Sequence, residues 1–94
     1  MKLRFTERAF SDREDIYEYL AERSPTAARD VYGYLTRAIR RLSEMPYSGV
    51  QTDEEDVRVL FIVRYPYKVF YRIREQAVEI LHIRHSSRRP PENE

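Results

Sequence analysis

Val57 to Arg89 reads VRVLFIV (57–63), RYPYK (64–68), VFYRI (69–73), REQ (74–76), AVEILHI (77–83) and RHSSRR (84–89). Three runs rich in Val, Ile, Phe and Tyr alternate with short polar or proline-bearing breaks. Beta-branched and aromatic side chains suit a pleated, half-buried surface, so each run reads as a strand. The breaks are too short for a crossover, which predicts an antiparallel meander. Tyr65-Pro66 suits the first turn, because proline fixes φ and has no N–H for a ladder. Arg74-Glu75-Gln76 is a weaker turn, with no Gly or Asn to accept positive φ.

Charge selects a register for the second hairpin. Setting Arg74 opposite Ala77 pairs Ile73 with Val78, Arg72 with Glu79, Tyr71 with Ile80 and Phe70 with Leu81. Directly opposed residues share a face, and a slip of one residue would separate Arg72 from Glu79 and scatter the apolar set. The expected core face is Val69, Tyr71, Ile73, Val78 and Ile80. The other face is expected to carry Lys68, Phe70, Arg72, Glu79, Leu81, Ile83 and His85, apolar in the middle and basic at its edges. The same register turns His82 towards the core.

Outward from this segment, the first half of the chain reads as a short strand and two helices. Lys2-Leu3-Arg4-Phe5 alternates polar and apolar. Thr6 offers a hydroxyl cap for a helix from about Glu7 to Glu22, with Ser11 and Glu14 a competing capping box. Ala9, Ile16, Tyr17 and Leu20 share a face, with Phe10 beside them. Ser24-Pro25 is a second start, a serine cap before proline at the first helical position. From there Ala27, Ala28, Val31, Leu35, Ala38, Ile39 and Leu42 follow helical spacing to about Glu44, with Arg29, Arg37, Arg40 and Arg41 outside. Met45-Pro46-Tyr47-Ser48-Gly49 stops this helix. Gln51–Asp56 reads as a polar link whose acidic run, Asp53-Glu54-Glu55-Asp56, is a solvated loop or a shield over the basic sheet. The order β-α-α-β-β-β predicts an α+β fold, a two-helix hairpin on one face of a small, mostly antiparallel sheet. One domain over residues 1–89 is expected, followed by a disordered tail over 90–94.

Composition narrows the function classes. The 94 residues contain no cysteine, which excludes a disulfide framework and a thiolate metal site or nucleophile. No apolar stretch approaches a membrane span and no signal-peptide core is present, so a cytoplasmic protein is expected. The net charge of +1 conceals a division. Residues 1–56 carry 9 basic and 12 acidic side chains, whereas residues 57–89 carry 8 basic and 2 acidic. Of the 17 basic residues, 15 are arginine, whose planar fork suits carboxylate or phosphate. An anionic partner is implied, nucleic acid or an acidic protein segment.

Chemistry is sparse. Neither a carboxylate pair, a Ser/His/Asp order, a Gly-rich phosphate loop nor metal-ligand spacing occurs, and no cofactor is expected. A packed role suits His82. His85, beside Arg84, Arg88 and Arg89, would serve as a general acid or base on an RNA 2′-hydroxyl with arginines on the phosphorane. Tyrosines interleaved with arginines suit base stacking, although Tyr17, Tyr32 and Tyr71 fall at or beside core positions.

The stretches SPTAARDVYGYL, AIRRLSEMPYSG, VRVL, YPYKVFYRI and VEILHIRHSSRRP, in this order over residues 3–90, resemble the RelE/ParE superfamily of type II toxin–antitoxin toxins. The resemblance implies a bacterial toxin of the plasmid-stabilisation type, silenced by a cognate antitoxin and reaching operator DNA only through that antitoxin. RelE-like members cut mRNA on the ribosome with basic residues on the open sheet face and a C-terminal tyrosine. ParE-like members inhibit DNA gyrase. Val59 and Phe61 stand where RelE-like enzymes carry lysines, Lys68 where an arginine is typical, and Arg88 matches a phosphate-binding arginine with no tyrosine after it. The chain is therefore expected to be a ParE-like gyrase inhibitor rather than an enzyme. Arg58, Lys68, His85, Arg88 and Arg89 are the expected target contacts, and Leu60, Phe61, Phe70, Leu81 and Ile83 the expected antitoxin contacts. The alternatives are a metal-independent, ribosome-dependent mRNA endonuclease using Lys68, His85 and Arg88, and an inactive toxin serving as corepressor.

Overall fold

The computed structural model describes residues 1–86; Arg88, Arg89 and the 90–94 tail lie outside them. The elements are β1 (Lys2–Phe5), α1 (Glu7–Ala21), α2 (Pro25–Arg41), β2 (Val50–Gln51), β3 (Arg58–Ile62), β4 (Tyr67–Arg74) and β5 (Ala77–His85). The sheet runs β1-β5-β4-β3-β2, with β1 parallel to β5 and the other pairs antiparallel. This is the expected α+β fold, extended by one element. Val50-Gln51 pairs with Val59 and Arg58, so the acidic link begins as an edge strand.

Both helices start where hydroxyl caps predict. The Thr6 hydroxyl accepts from Ala9 N–H at 3.0 Å and the Ser24 hydroxyl from Ala27 N–H at 3.2 Å. The Ser11–Glu14 alternative is not used. The second helix ends at Arg41, earlier than expected, and its exit tightens through Leu42 N–H to Ile39 O and Ser43 N–H to Arg40 O. Tighter i→i+3 bonds at a helix end are a common way to satisfy its last groups. Val31, Leu35, Ala38, Ile39 and Leu42 are buried against Val69, Tyr71, Val78 and Ile80 of the sheet, and Ala28 is buried as well. Phe10, expected beside the core, is instead 54% exposed.

The β4–β5 hairpin follows the charge-derived register from Arg74↔Ala77 to Tyr71↔Ile80 and then departs from it. Phe70 pairs with His82 rather than Leu81, so Leu81 is the extra residue of a β-bulge. Every face assignment on β5 beyond the bulge therefore reverses. Ile83, expected outside, is buried opposite Val69. His85, also expected outside, opposes the buried Tyr67 on the helix side. His82, expected inside, stacks on Phe70 on the outer face, ring centroids 4.4 Å apart. The physical reason is Arg84. In the unbulged register it would share the inner face with Val78 and Ile80, an uncompensated charge in the core. The first turns of α1 hold the bulge: Thr6 Oγ1 donates to Leu81 O at 2.9 Å, and Ile83 N–H donates to Asp12 Oδ2 at 2.9 Å.

The turn after β4 is a two-residue loop in which Glu75 and Gln76 both have positive φ, 54° and 61°. That geometry matches the right-handed twist of the flanking strands. It is achieved without the expected Gly or Asn, at a cost on the order of 1 kcal/mol per residue.

Tyr71 joins the sheet to the exit of α2. Its side chain is fully buried, and its hydroxyl donates to Pro46 O at 2.7 Å while accepting from Gly49 N–H at 2.9 Å. Burial raises its pKa, opposed by the Gly49 hydrogen bond and the charge of Arg58. Gly49 is required by proximity: a Cβ there would lie 2.5 Å from the Tyr71 hydroxyl and 2.9 Å from Val59 O. Tyr71→Phe leaves a buried donor and acceptor unpaired, so unfolding free energy should fall by about 1–3 kcal/mol in urea titrations. A loss under about 0.5 kcal/mol would contradict this role.

His82 supplies a second stability test. Burial lowers its pKa from the usual 6.5, as do Arg8 and Arg84, while Asp12 and Glu54 pull the other way. The unfolded chain thus protonates at higher pH than the folded chain, and protonation favours unfolding. The stabilisation is complete above about pH 6.5 and fades as pH falls towards the folded-state pKa. Between about pH 7.5 and about pH 5.5 the urea midpoint should drop in the parent chain and stay flatter in His82→Phe, which keeps the stacked ring. Equal pH slopes in the two proteins would exclude His82 as the source.

Candidate functional site

The outer sheet face is the surface left uncovered by the helix pair. Cross-strand pairing places Phe61 opposite Lys68 and Lys68 opposite Arg84. Directly opposed like charges are unfavourable across a sheet. Neither cation forms an ion pair among the described residues. Phe61 is 52% exposed beside them, and the Phe70–His82 stack lies next along the strands. Lower on the same face Arg72 Nε donates to Glu79 Oε1 at 2.7 Å, the predicted cross-strand pair. That hydrogen bond holds the Glu79 pKa below the usual carboxylate range. The face is thus an aromatic centre with two closely set cations at one end and a neutralised pair at the other.

The expected contact residues distribute unevenly around it. Lys68, Phe61, Phe70 and the bulge residue Leu81 belong to the outer side or its margin. Leu60, an expected antitoxin contact, opposes Val69 and packs against the core cluster. Ile83 is buried. Arg58 donates to Gly49 O at 2.6 Å and to Tyr47 O at 3.4 Å, and its guanidinium lies 5.0 Å from the Tyr47 ring. It fastens the loop after α2. His85 meets the Tyr67 ring edge-on at 5.4 Å and lines a cleft of about 550 Å³ with Asp12, Asp15, Tyr19 and Leu20. Lys68 and His85 therefore emerge on opposite faces of the sheet, so the residues expected to act together on RNA are not brought together. Arg88 and Arg89 fall outside the described residues.

Two residues that sequence reasoning left out now stand in the site. Arg84 and His82 reach the outer face through the bulge. The signal was present in the strand itself, since regular alternation put Arg84 inside with Val78 and Ile80 and left Ile83 outside. Among the described residues no group of three or more His, Asp or Glu is arranged to hold a metal ion. Nor is any helix there long and apolar enough to cross a membrane.

Comparison with known proteins agrees with this architecture. Residues 3–90 match the family model described as the ParE toxin of the type II toxin–antitoxin system parDE. A Sinorhizobium fredii protein named "Putative toxin Y4kP" is 32% identical over 91 residues, covering 97% of this chain and 94% of its own. A chain from the structure titled "Chromosomal ParDE TA system from P. aeruginosa" aligns with a TM-score of 0.80 at 24% identity, covering 90% of this chain and 95% of that one. A chain of the intact E. coli RelBE toxin–antitoxin complex aligns with a TM-score of 0.66 at 15% identity, over 93% and 98% of the two chains. At these identities the solved structures establish the shared fold. The family match spans nearly the whole chain, from the first strand past the last, and with it the sequence belongs to the ParE toxins of type II toxin–antitoxin systems.

Proposed function

We propose that this toxin arrests growth by inhibiting DNA gyrase, and that a cognate antitoxin silences it by covering the outer sheet face. The observation that carries this reading is the make-up of that face: the exposed Phe61 and the Phe70–His82 stack beside the opposed cations Lys68 and Arg84. An aromatic patch rimmed by charge suits burial of a partner protein, with aromatic anchors supplying affinity and the cations selecting acidic groups. A ribonuclease needs a proton-transfer group beside its phosphate-binding cations. Lys68 and His85 lie on opposite faces, and the nearer imidazole, His82, has Nδ1 buried with no hydrogen-bond partner among the described residues. That arrangement supports protein contact over RNA cleavage. Lys68 and Arg84 are assigned to target contact, joined on sequence grounds by Arg88 and Arg89. Phe61, Phe70 and Leu81 are assigned to the antitoxin.

Purified, antitoxin-free protein should inhibit gyrase supercoiling at near-stoichiometric ratio, with cleaved DNA accumulating. The Lys68→Glu/Arg84→Glu variant should need about tenfold more protein, the equivalent of about 1.4 kcal/mol. Absence of inhibition by folded protein, with mRNA cleaved in a ribosome-containing translation reaction, would replace gyrase by the ribosome. Absence of both activities would favour the corepressor role.

Antitoxin binding is separable. Phe61→Ala should weaken the complex by about 2 kcal/mol, roughly 30-fold, in titration calorimetry, as expected for an aromatic anchor. An unchanged affinity would remove Phe61 from that interface.

A further inference from the structure

We propose that the outward face of α2 seats the phosphate backbone of duplex DNA, over Gly33 and between its flanking arginines. Arg29, Gly33, Arg37 and Arg41 follow one another at four-residue intervals, so they form a single row along the helix. Arg64, from the turn between β3 and β4, stands beside the row. Together with Tyr34 these residues line a shallow depression of about 480 Å³. All four arginines are exposed, and none forms an ion pair among the described residues. Asp30 is the one carboxylate lining the depression. Arg64 Nε donates to the Tyr65 hydroxyl at 3.4 Å.

Gly33 is the second observation. A glycine inside a helix costs about 1 kcal/mol relative to alanine. Nothing in the fold demands one here. The backbone does not have positive φ, and a Cβ would meet only the mobile end of Arg37, 3.2 Å from Nη1. The absent side chain leaves room over the helix into which the Arg37 guanidinium now folds, and that flexible end can swing aside to meet an approaching phosphate. Arg37 and Arg41 are spaced about 6 Å along the axis, and Arg29 stands about 12 Å before Arg37. Successive phosphates of one strand lie farther apart through space than their axial rise of about 3.4 Å, because the strand winds as it rises, so Arg37 and Arg41 suit neighbouring phosphates. Guanidinium forks bind phosphate through paired hydrogen bonds. An acidic protein segment would meet the charge but lacks the regular spacing of phosphates along a strand. This surface lies across the helix layer from Lys68 and Arg84, and the inference does not depend on the gyrase reading. It departs from the expectation that DNA is reached only through the antitoxin.

The test is fluorescence anisotropy of the full chain with a labelled duplex of about 20 base pairs lacking any operator, titrated over a salt series. Parent protein should bind, with log K falling linearly in log salt. Arg37→Ala/Arg41→Ala/Arg64→Ala should weaken binding about tenfold or more and reduce the salt slope by about 0.9 per lost contact. Gly33→Leu, which removes no charge, should weaken binding about fivefold or more by filling the seat, with circular dichroism and thermal melting showing an intact fold. Arg23→Ala/Arg74→Ala, a charge-reducing control on other surfaces, should stay within about twofold. No binding at low salt would overturn the proposal, as would parent-like affinity in the triple variant or in Gly33→Leu. Polyglutamate displacing the protein more effectively than unlabelled duplex of equal charge would also overturn it, in favour of an acidic protein partner.

Discussion

The last strand must carry a charged residue across a sheet whose inner face is dry, and the bulge at Leu81–His82 is the solution on which the architecture turns. Residues Ala77 to Ile80 fit the core in simple alternation. Continued by one more pair, the same alternation would bury Arg84 and expose Ile83. Inserting Leu81 changes the phase, so Ile83 enters the core and Arg84 leaves it. A buried unpaired cation would cost several kcal/mol, far more than an interrupted ladder. Asp12 and Thr6 occupy the backbone groups that the interruption frees, so the start of α1 and the bend of β5 specify one another.

A second tie fixes the other end of the helix layer. The Tyr71 hydroxyl and Arg58 both bond the loop that leaves α2, through Pro46, Tyr47 and Gly49. With β5 joined to α1 and the loop after α2 joined to β3 and β4, the helix pair is held at two separated places. The outer face is then determined by exclusion, as the sheet surface that neither helix covers. Its two opposed cations gain nothing from each other and leave the face with uncompensated positive charge.

Charge is thus sorted into surfaces with different surroundings. Lys68 and Arg84 sit beside aromatic rings on the sheet, where apolar burial and charge can act together. The α2 arginines stand on a helix with little apolar surface between them, suited to a polyanion. Arg72, by contrast, is spent on Glu79, and Arg58 on the loop carbonyls. Arginine count alone does not separate these roles. The hydrogen-bond partner of each guanidinium does.

Much of this was legible in the chain. Hydroxyl caps at Thr6 and Ser24 mark both helix starts because their oxygens satisfy local N–H groups, and the period of apolar residues marks the buried stripe of α2. The Arg72–Glu79 pair gives the register near the turn, since opposed charges are a short-range signal. Membership of the toxin superfamily follows from the order and spacing of modest motifs. Tertiary structure decided the rest. A bulge has no propensity signature of its own, because its cause is the cost of burying Arg84 against helices distant in sequence. It exchanged His82 for His85 and moved Ile83 away from the place expected of it. Whether an arginine is free or committed also depends on carbonyls and carboxylates that only folding brings near. The sequence by itself determined the fold and the family; the tertiary structure decided which residues stand on the uncovered sheet face, because that choice is made by burial.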